Sequence, residues 1–423
     1  MGKIGMREGG AKGLGYLEAL LGGAKVEWRS LGEIADFYGG LIGKKRQDFE
    51  DGDALYIPYR NIYNNPEVDF HWLEKVNVAP SERQHEVLYG DVLFTLSSET
   101  EQDVGMSSVV TTHFEQRVFL NSFSFGVRFH DDVSLLPAFT KHFFRAKEMR
   151  LAIRRTAQGV TRYNISRKKF RDILIPLPPL HVQEKIVEIL DKFTALEAEL
   201  EAELEARKKQ YEYYRNRLLR FGKEVEWKPL GEVADVSKLA GFEFTKYVKY
   251  SDTGTIIAVR GLNVKGHLDL SDVKYMDNSN FEKLSRSKLY CGDMLFTYVG
   301  TVGNVAIVDE DDRFYLAPNV CRIRFTNTDI LPRFMFYYFQ TSKFRREQMG
   351  FYMEKSTMNN LTMTNIRKFL IPLPPLAIQQ QIVDILDKFH TLVHSLTEGL
   401  PAEIALRRQQ YEYYRNQLLR FPR

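Results

Sequence analysis

An arginine beside an asparagine or threonine is a set of side chains that reads base edges. A guanidinium forks onto guanine and a carboxamide pairs with adenine. The chain carries such sets twice. Arg60-Asn61, and Arg260 with Asn263, each follow a short apolar run, and Thr161-Arg162-Tyr163-Asn164 matches Thr357-Met358-Asn359-Asn360 in order. Charge able to neutralise phosphates lies beside them. From Lys141 to Arg171 the cations are Lys141, Arg145, Lys147, Arg150, Arg154, Arg155, Arg162, Arg167, Lys168, Lys169 and Arg171, against Glu148 alone. The matching stretch holds Arg333, Lys343, Arg345, Arg346, Lys355, Arg367 and Lys368 against Glu347 and Glu354. The candidate nucleic-acid contacts are therefore Arg60, Asn61, Arg154, Arg155, Thr161, Arg162, Asn164, Arg260, Asn263, Arg345, Arg346, Lys355, Thr357, Asn359 and Asn360. Lys44, Lys45 and Arg46, at the end of a glycine-rich stretch, join them. A solvated helix face is the plainer account of such charge, and loop capping that of the threonines and asparagines. Recurrence at equivalent places favours phosphate.

Residue sets for catalysis fall short. Asn65-Pro66-Glu67 is not the Asn-Pro-Pro-aromatic element of an adenine methyltransferase, and neither Cys291 nor Cys321 follows a proline as a cytosine-attacking thiol would. Gly39–Lys45 lacks the spacing and the hydroxyl of a phosphate-binding loop. His390 and His394 share a helix face at metal-capable spacing, yet no third ligand is evident. Asp309–Asp312 reads as a solvated turn, and Ser285-Arg286-Ser287-Lys288 as a chance pattern. The expectation is no catalytic residue, no resident metal and no cofactor bound by this chain.

Composition agrees with a soluble, two- to four-domain protein: 423 residues, 44% hydrophobic, 27% charged, net charge +4. No run approaches ~18 apolar residues, so a membrane span is excluded. Leu17–Leu21 is too short for the apolar core of a secretion signal, and Met6 stands where a myristoylation signal needs Ser or Thr. Two cysteines without a Cys-x-x-Cys pair suit a reducing compartment. A cytoplasmic location is expected.

The elements that must hold these groups occur twice. Val26-Glu27-Trp28 and Leu31-Gly32-Glu33-Ile34-Ala35-Asp36 return from Val225 and Leu230; Gly90-Asp91-Val92-Leu93-Phe94-Thr95 returns from Gly292. Ile175–Leu180 and Gln210–Asn216 return unchanged from Ile371 and Gln410. A period near 200 residues is a domain duplication, not a solenoid. Before each Ile-Pro-Leu-Pro-Pro-Leu block, short apolar runs alternate with turns, as in a mixed sheet with some helix. After it, apolar residues recur every three or four positions, predicting long helices with a coiled-coil seam through Leu190, Phe193, Tyr211 and Tyr214 in one, and Leu386, Phe389, Tyr411 and Tyr414 in the other. Gly399 and Pro401 predict a local break in the second. The expected fold class is α+β: two similar mixed α/β globules separated by two long antiparallel helices, an intramolecular coiled coil with a pseudo-two-fold. The boundaries expected are an N-terminal segment with a short helix over 1–25, globules over 26–178 and 224–374, and helices over 179–223 and 375–423.

With these blocks, and Gln183 and Gln379 following the proline motif, the chain from Val26 to Phe421 resembles the specificity subunit of type I restriction–modification systems. The resemblance implies that the globules are target-recognition domains, each reading one half of a split, asymmetric site in double-stranded DNA. It further implies that the helices set the spacer and dock methyltransferase subunits, two being expected, with restriction and translocase subunits in the larger complex. S-adenosylmethionine, ATP and Mg²⁺ would then belong to the partners. A self-contained DNA-modifying enzyme, and a coiled-coil adaptor without DNA contact, are the competing readings.

Overall fold

The computed structural model describes residues 12–353 and 359–422. They form two compact units, one from the described residues up to 200 with those from 404 on, the other from the described residues between 201 and 403. In the first, strand Glu27–Ser30 pairs antiparallel with Leu174–Leu177, which ties the start of the globule to its end. Trp28 lies opposite Pro176. A proline lacks the ladder N–H, so this ribbon stays two-stranded. A four-stranded antiparallel sheet follows in the order Ala35–Gly39, Ser124–Phe129, Val92–Thr95, Ser107–Val109. Every residue of Val92–Thr95 is buried. Phe94 stacks on Phe125 at 5.4 Å and meets Phe144 and Phe170 edge-on at 5.2 and 5.0 Å. Such pairs contribute about 0.5–1.5 kcal/mol each beyond the area they bury. A second sheet places Ala54–Ile57 between Glu74–Val76 and Val118–Leu120, the latter parallel.

The second unit repeats this plan. Glu226–Pro229 pairs with Leu370–Leu373, and Trp227 lies opposite Pro372. The four-stranded order is Ala234–Lys238, Val320–Phe325, Met294–Thr297, Val305–Ile307. A three-stranded sheet has Ile257–Val259 between Lys274–Tyr275 and the parallel Phe314–Leu316. The first unit adds a small sheet of Ala157–Gln158, Tyr163–Ile165 and Ser97–Ser98. At that place the second unit has a single bridge between Val299 and Asn360 among the described residues.

The repeated Gly-Asp step has a local reason. Gly90 and Gly292 both sit at φ +87°, where a side chain would be strained. The turn delivers Asp91 and Asp293 into the protein, exposed by 0 and 2%. Asp91 accepts from the Leu88 N–H (2.8 Å), the Tyr38 hydroxyl (2.6 Å) and both prongs of Arg128 (2.8 and 2.7 Å). Asp293 accepts from the Tyr290 N–H (2.8 Å) and both prongs of Arg324 (2.6 Å each).

The helix Leu180–Leu218 is unbroken for 39 residues, roughly 58 Å at 1.5 Å per residue. Its first part belongs to the first unit and runs antiparallel to Leu400–Leu418: Phe193 stacks on Tyr414 at 5.2 Å and Glu197 pairs with Arg408. Its second part belongs to the second unit and runs against Leu376–His394, with Tyr214 and Tyr211 stacked on Phe389 at 5.4 and 6.4 Å. Leu190 and Leu386 are fully buried. The break predicted at Gly399 and Pro401 is present, since helix resumes at Leu400 after His394. A Cβ on Gly399 would stand 2.4 Å from the Thr391 carbonyl oxygen.

The glutamine after each proline block docks helix to globule. Gln183 accepts from the Leu136 N–H (2.9 Å) and donates to the Ser134 and Pro178 carbonyls (2.8 Å each). Gln379 accepts from Leu331 (2.9 Å) and donates to Asp329 and Pro374 (2.8 Å each). Both are fully buried. Gln183→Leu takes the partner from three backbone groups, of which the Pro178 carbonyl is buried, at about 1–3 kcal/mol for a buried group. Urea unfolding is expected to show a loss of ~2 kcal/mol or more, whereas exposed Gln380→Ala stays within ~0.5 kcal/mol. Equal stability of the two variants would refute the docking role.

Candidate nucleic-acid interface

The end of the buried central strand opens into a cleft in each unit. In the first, Ser97 and Ser98, one residue beyond Val92–Thr95, form the floor, the helix Tyr59–Asn64 forms one wall, and Phe123 with the turn Thr161–Arg162 forms the other. The cleft encloses about 1000 Å³. Tyr59 donates to the Ser97 carbonyl (2.7 Å), its ring lies 6.2 Å from Tyr63, and Arg162 reaches the Ser97 hydroxyl at 3.2 Å. Burial pushes both phenols up, and Asp103 raises Tyr63 further, so both remain neutral donors near pH 7. Arg60 is exposed on the wall, and Phe123 is 58% exposed at the rim. Glu99 and Asp103 add acceptors.

The second cleft, about 730 Å³, occupies the same position beside Thr297 and Gly261–Asn263. The threonines closing the repeated motif act alike: Thr95 accepts from the Met106 N–H and Thr297 from the Asn304 N–H, each at 2.9 Å. The lining differs. Phe244, Tyr250, Lys265, Asn304 and Asn319 appear here. Arg260 turns to Asp272, bonding its carboxylate (2.8 Å) and its carbonyl (2.7 Å). One framework thus presents two unlike sets of donors, acceptors and rings.

Of the residues expected from sequence, Arg60, Thr161 and Arg162 converge in the first cleft and Arg260 lines the second. Asn61 and Asn263 are corrections to the base-reading expectation, because both are fully buried. Asn61 donates to the Asp69 and Trp72 carbonyls (2.8 and 2.7 Å), and Asn263 to those of Asp269 and Asp272 (2.9 and 2.7 Å). They shape the loop that follows the wall. Lys44 is likewise spent, its side chain 7% exposed and paired with Glu82 at 2.6 Å. Lys45 and Arg46 are exposed and lie outside the cleft lining.

Much of the basic stretch is also internal. Arg145 donates to the carbonyls of Ser107, Ile62 and Asn65, and Arg150 to those of Gly105, Gln102 and Val104. Burial pushes both guanidinium groups down to about 10, still charged near neutrality. Lys141 pairs with Asp191 (3.0 Å) and Glu67 (3.4 Å), and Arg154 with Glu101 (3.1 Å). Arg155, Arg345 and Arg346 are exposed. Asn164 is exposed on the strand beside Ser97 and donates to the Arg162 carbonyl (3.3 Å). Asn359 accepts from the Gly300 N–H (3.1 Å), and Asn360 bridges to Val299. Lys355 and Thr357 lie outside the described residues. Sequence reasoning passed over Tyr59, Tyr63, Phe123, Glu99, Phe244, Tyr250, Asn304 and Asn319. No local pattern in these segments marks them as parts of one cleft.

Duplicated α+β units, with clefts on one framework and unlike linings, define a recognition scaffold. The family model for the type I restriction modification DNA specificity domain matches twice, over residues 24–206 and 222–406, and the chain belongs to that family. It is 30% identical to the EcoR124I/EcoR124II specificity subunit of Escherichia coli over 436 residues, covering 97% of this chain and 98% of that one. A provisionally named type I specificity subunit of Haemophilus influenzae is 28% identical over 421 residues, 96% and 98% of the two chains. A solved chain from work on complex assembly and conformational transition of the type I restriction–modification system shares the fold, with a TM-score of 0.60 at 16% identity, covering 94% of this chain and 98% of that one.

Arg60→Ala and Arg162→Ala are expected to weaken binding to duplex DNA by about 1–3 kcal/mol each, with the melting temperature unchanged. Asn61→Ala is expected to lower the melting temperature instead, because it removes a fully buried side chain that satisfies the Asp69 and Trp72 carbonyls. Fluorescence anisotropy with thermal melting separates the two, and the reverse pattern would return Asn61 to the interface.

Proposed function

We propose that this specificity subunit reads a split, asymmetric site in double-stranded DNA, one half in each cleft. The observation that carries the reading is the pair of clefts at the same strand ends with different linings. A shared framework fixes how each unit meets the duplex, and unlike side chains make the two words differ. Two major-groove contacts one helical turn apart would lie ~34 Å from each other. The bases between go unread, and the length of the helices sets their number.

Methyltransferase subunits, two per chain, are the expected partners, joined by restriction and translocase subunits. Exposed apolar residues recur in pairs suited to two equal docking surfaces: Leu174 and Leu370 (44 and 42% exposed), Leu180 and Leu376 (45 and 40%), Tyr213 and Tyr413 (57 and 48%). Exposed apolar groups gain most by being covered. Adenine methylation from S-adenosylmethionine, and ATP- and Mg²⁺-dependent restriction, then belong to those partners. No described helix is long and apolar enough to cross a membrane.

Sequencing of modified adenines in DNA from cells expressing the chain with its methyltransferase partner is expected to return a two-part motif with a fixed spacer. Arg60→Ala with Arg162→Ala should relax one half only. Removing two turns from both helices should change the preferred spacer, and an unchanged spacer refutes the measuring role. Loss of specificity in both halves from the cleft variants would refute the division of labour.

A further inference from the structure

The second unit holds a small basic cavity. It measures about 140 Å³ and lies between the loop Lys265–His267, the helix Leu376–His394 and the segment Phe344–Met349. Lys265, His267, Arg345, His390 and His394 line it, and no carboxylate does. At ~30 Å³ per water the space holds about four or five waters, enough for one tetrahedral oxyanion and too little for a nucleotide.

The duplication shows what changed. Asp69 and Asp269 each accept from the N–H two residues on, at 2.9 Å, so His267 stands where the first unit has Glu67. Asp191 and Asp387 occupy matching Ile-Leu-Asp-Lys-Phe segments, so His390 and His394 stand where it has Thr194 and Ala198. In the first unit Glu67 pairs with Lys141, and Lys141 and His142 both close onto Asp191. That network is neutralised from within. In the second unit one carboxylate and two neutral residues have become three imidazoles. Arg345 reaches the Gly303 carbonyl at 3.4 Å, a weak use of a five-donor fork.

A metal does not account for the cluster, because among the described residues no group of three or more His, Cys, Asp and Glu is arranged to hold one. The other charges facing the histidines are Arg333, Arg215 and Lys208, with Asp387 nearby and Glu212 beside Arg345. Arg333 (2.7 Å) and Tyr337 already engage Asp387, and Lys265 pairs with Asp269 at 2.7 Å.

We propose that this cavity binds a doubly charged tetrahedral oxyanion of the phosphate class, held by Arg345 and by His390 and His394 in their protonated forms. Burial, then the neighbouring His394 and Arg333, hold the empty-site His390 down to about 4. Neutral His390 therefore stabilises the unit fully above pH ~6.5, and that contribution is lost as pH falls toward 4. A bound dianion reverses the balance by favouring imidazolium, so binding takes up protons and tightens as pH falls. The site stands whether or not the clefts read DNA.

Sulfate is the discriminating probe, because it stays dianionic across the range in which imidazole titrates. Calorimetry on the full chain at pH 6 and pH 8, at matched ionic strength in chloride, is expected to show at least fivefold tighter sulfate binding at pH 6, with proton uptake. His390→Gln with His394→Gln should weaken binding at pH 6 at least tenfold and abolish the pH dependence. Exposed Arg345→Gln should weaken binding at both pH values, and Lys388→Gln on the same helix should change neither. Sulfate indistinguishable from chloride, or undiminished binding by the double histidine variant with a normal melting temperature, overturns the proposal. Displacement of sulfate by a short mixed-sequence duplex assigns the site to a DNA backbone phosphate, and co-binding assigns it to free phosphate.

Discussion

Each unit is organised around a carboxylate in its interior. Asp91 and Asp293 enter on a glycine turn that other residues would strain, and a bidentate arginine with a backbone N–H meets each. A buried ion pair is poor evidence of net stability, yet removing one partner leaves an uncompensated charge at a cost of about 3–5 kcal/mol. The pair therefore acts as a positional constraint. It fixes where the central strand begins, the register with its neighbours carries that position along four residues, and Thr95 or Thr297 delivers it to the cleft. The variable surface begins where the constrained strand ends.

A second constraint holds each globule to its helices. The identical Gln-Tyr-Glu-Tyr-Tyr-Arg-Asn segments work as clasps. Asn416 accepts from the Lys147 N–H (2.9 Å) in the first unit, and Asn216 from the Ser342 N–H (2.7 Å) in the second. Tyr411 bonds His142 of its globule (2.8 Å), whereas Tyr211 faces His390 of the neighbouring helix (3.4 Å). The indole N–H of Trp28 donates to Pro422 and that of Trp227 to Gly222, each at 2.9 Å and each just past a helix end. The first globule is thus clasped by the end of the chain and the second by the helix before it. That arrangement is what a tandem copy must reach if both copies are to be closed in the same way.

The duplication, the helix seams, the break at Gly399 and the mixed α/β character of the globules were legible in the sequence, because each rests on local pattern. Periodicity reveals a buried stripe, and repeated words reveal a repeated unit. Asn61 and Arg145 were misread for a shared reason. Composition counts donors but does not show whether a carbonyl already takes them, and a buried arginine that satisfies three loop carbonyls looks in sequence like one that meets a phosphate. Tyr59 and Asn319 were missed because a cleft is made by segments far apart in the chain, and nothing within either segment marks it as a wall.

The internal use of cations also bears on how specificity is divided. Lys141, Arg145 and Arg150 brace the first globule, and Arg60 and Arg162 are the cations among the residues lining its cleft. Affinity from phosphate neutralisation scales with the number of cations that reach the backbone, so on the proposed reading such a cleft would supply discrimination more than tightness. A reader built this way would need other charges to hold the duplex while its own side chains judge the bases. The tyrosines and carboxylates of the first cleft, neutral donors and acceptors rather than cations, suit that division.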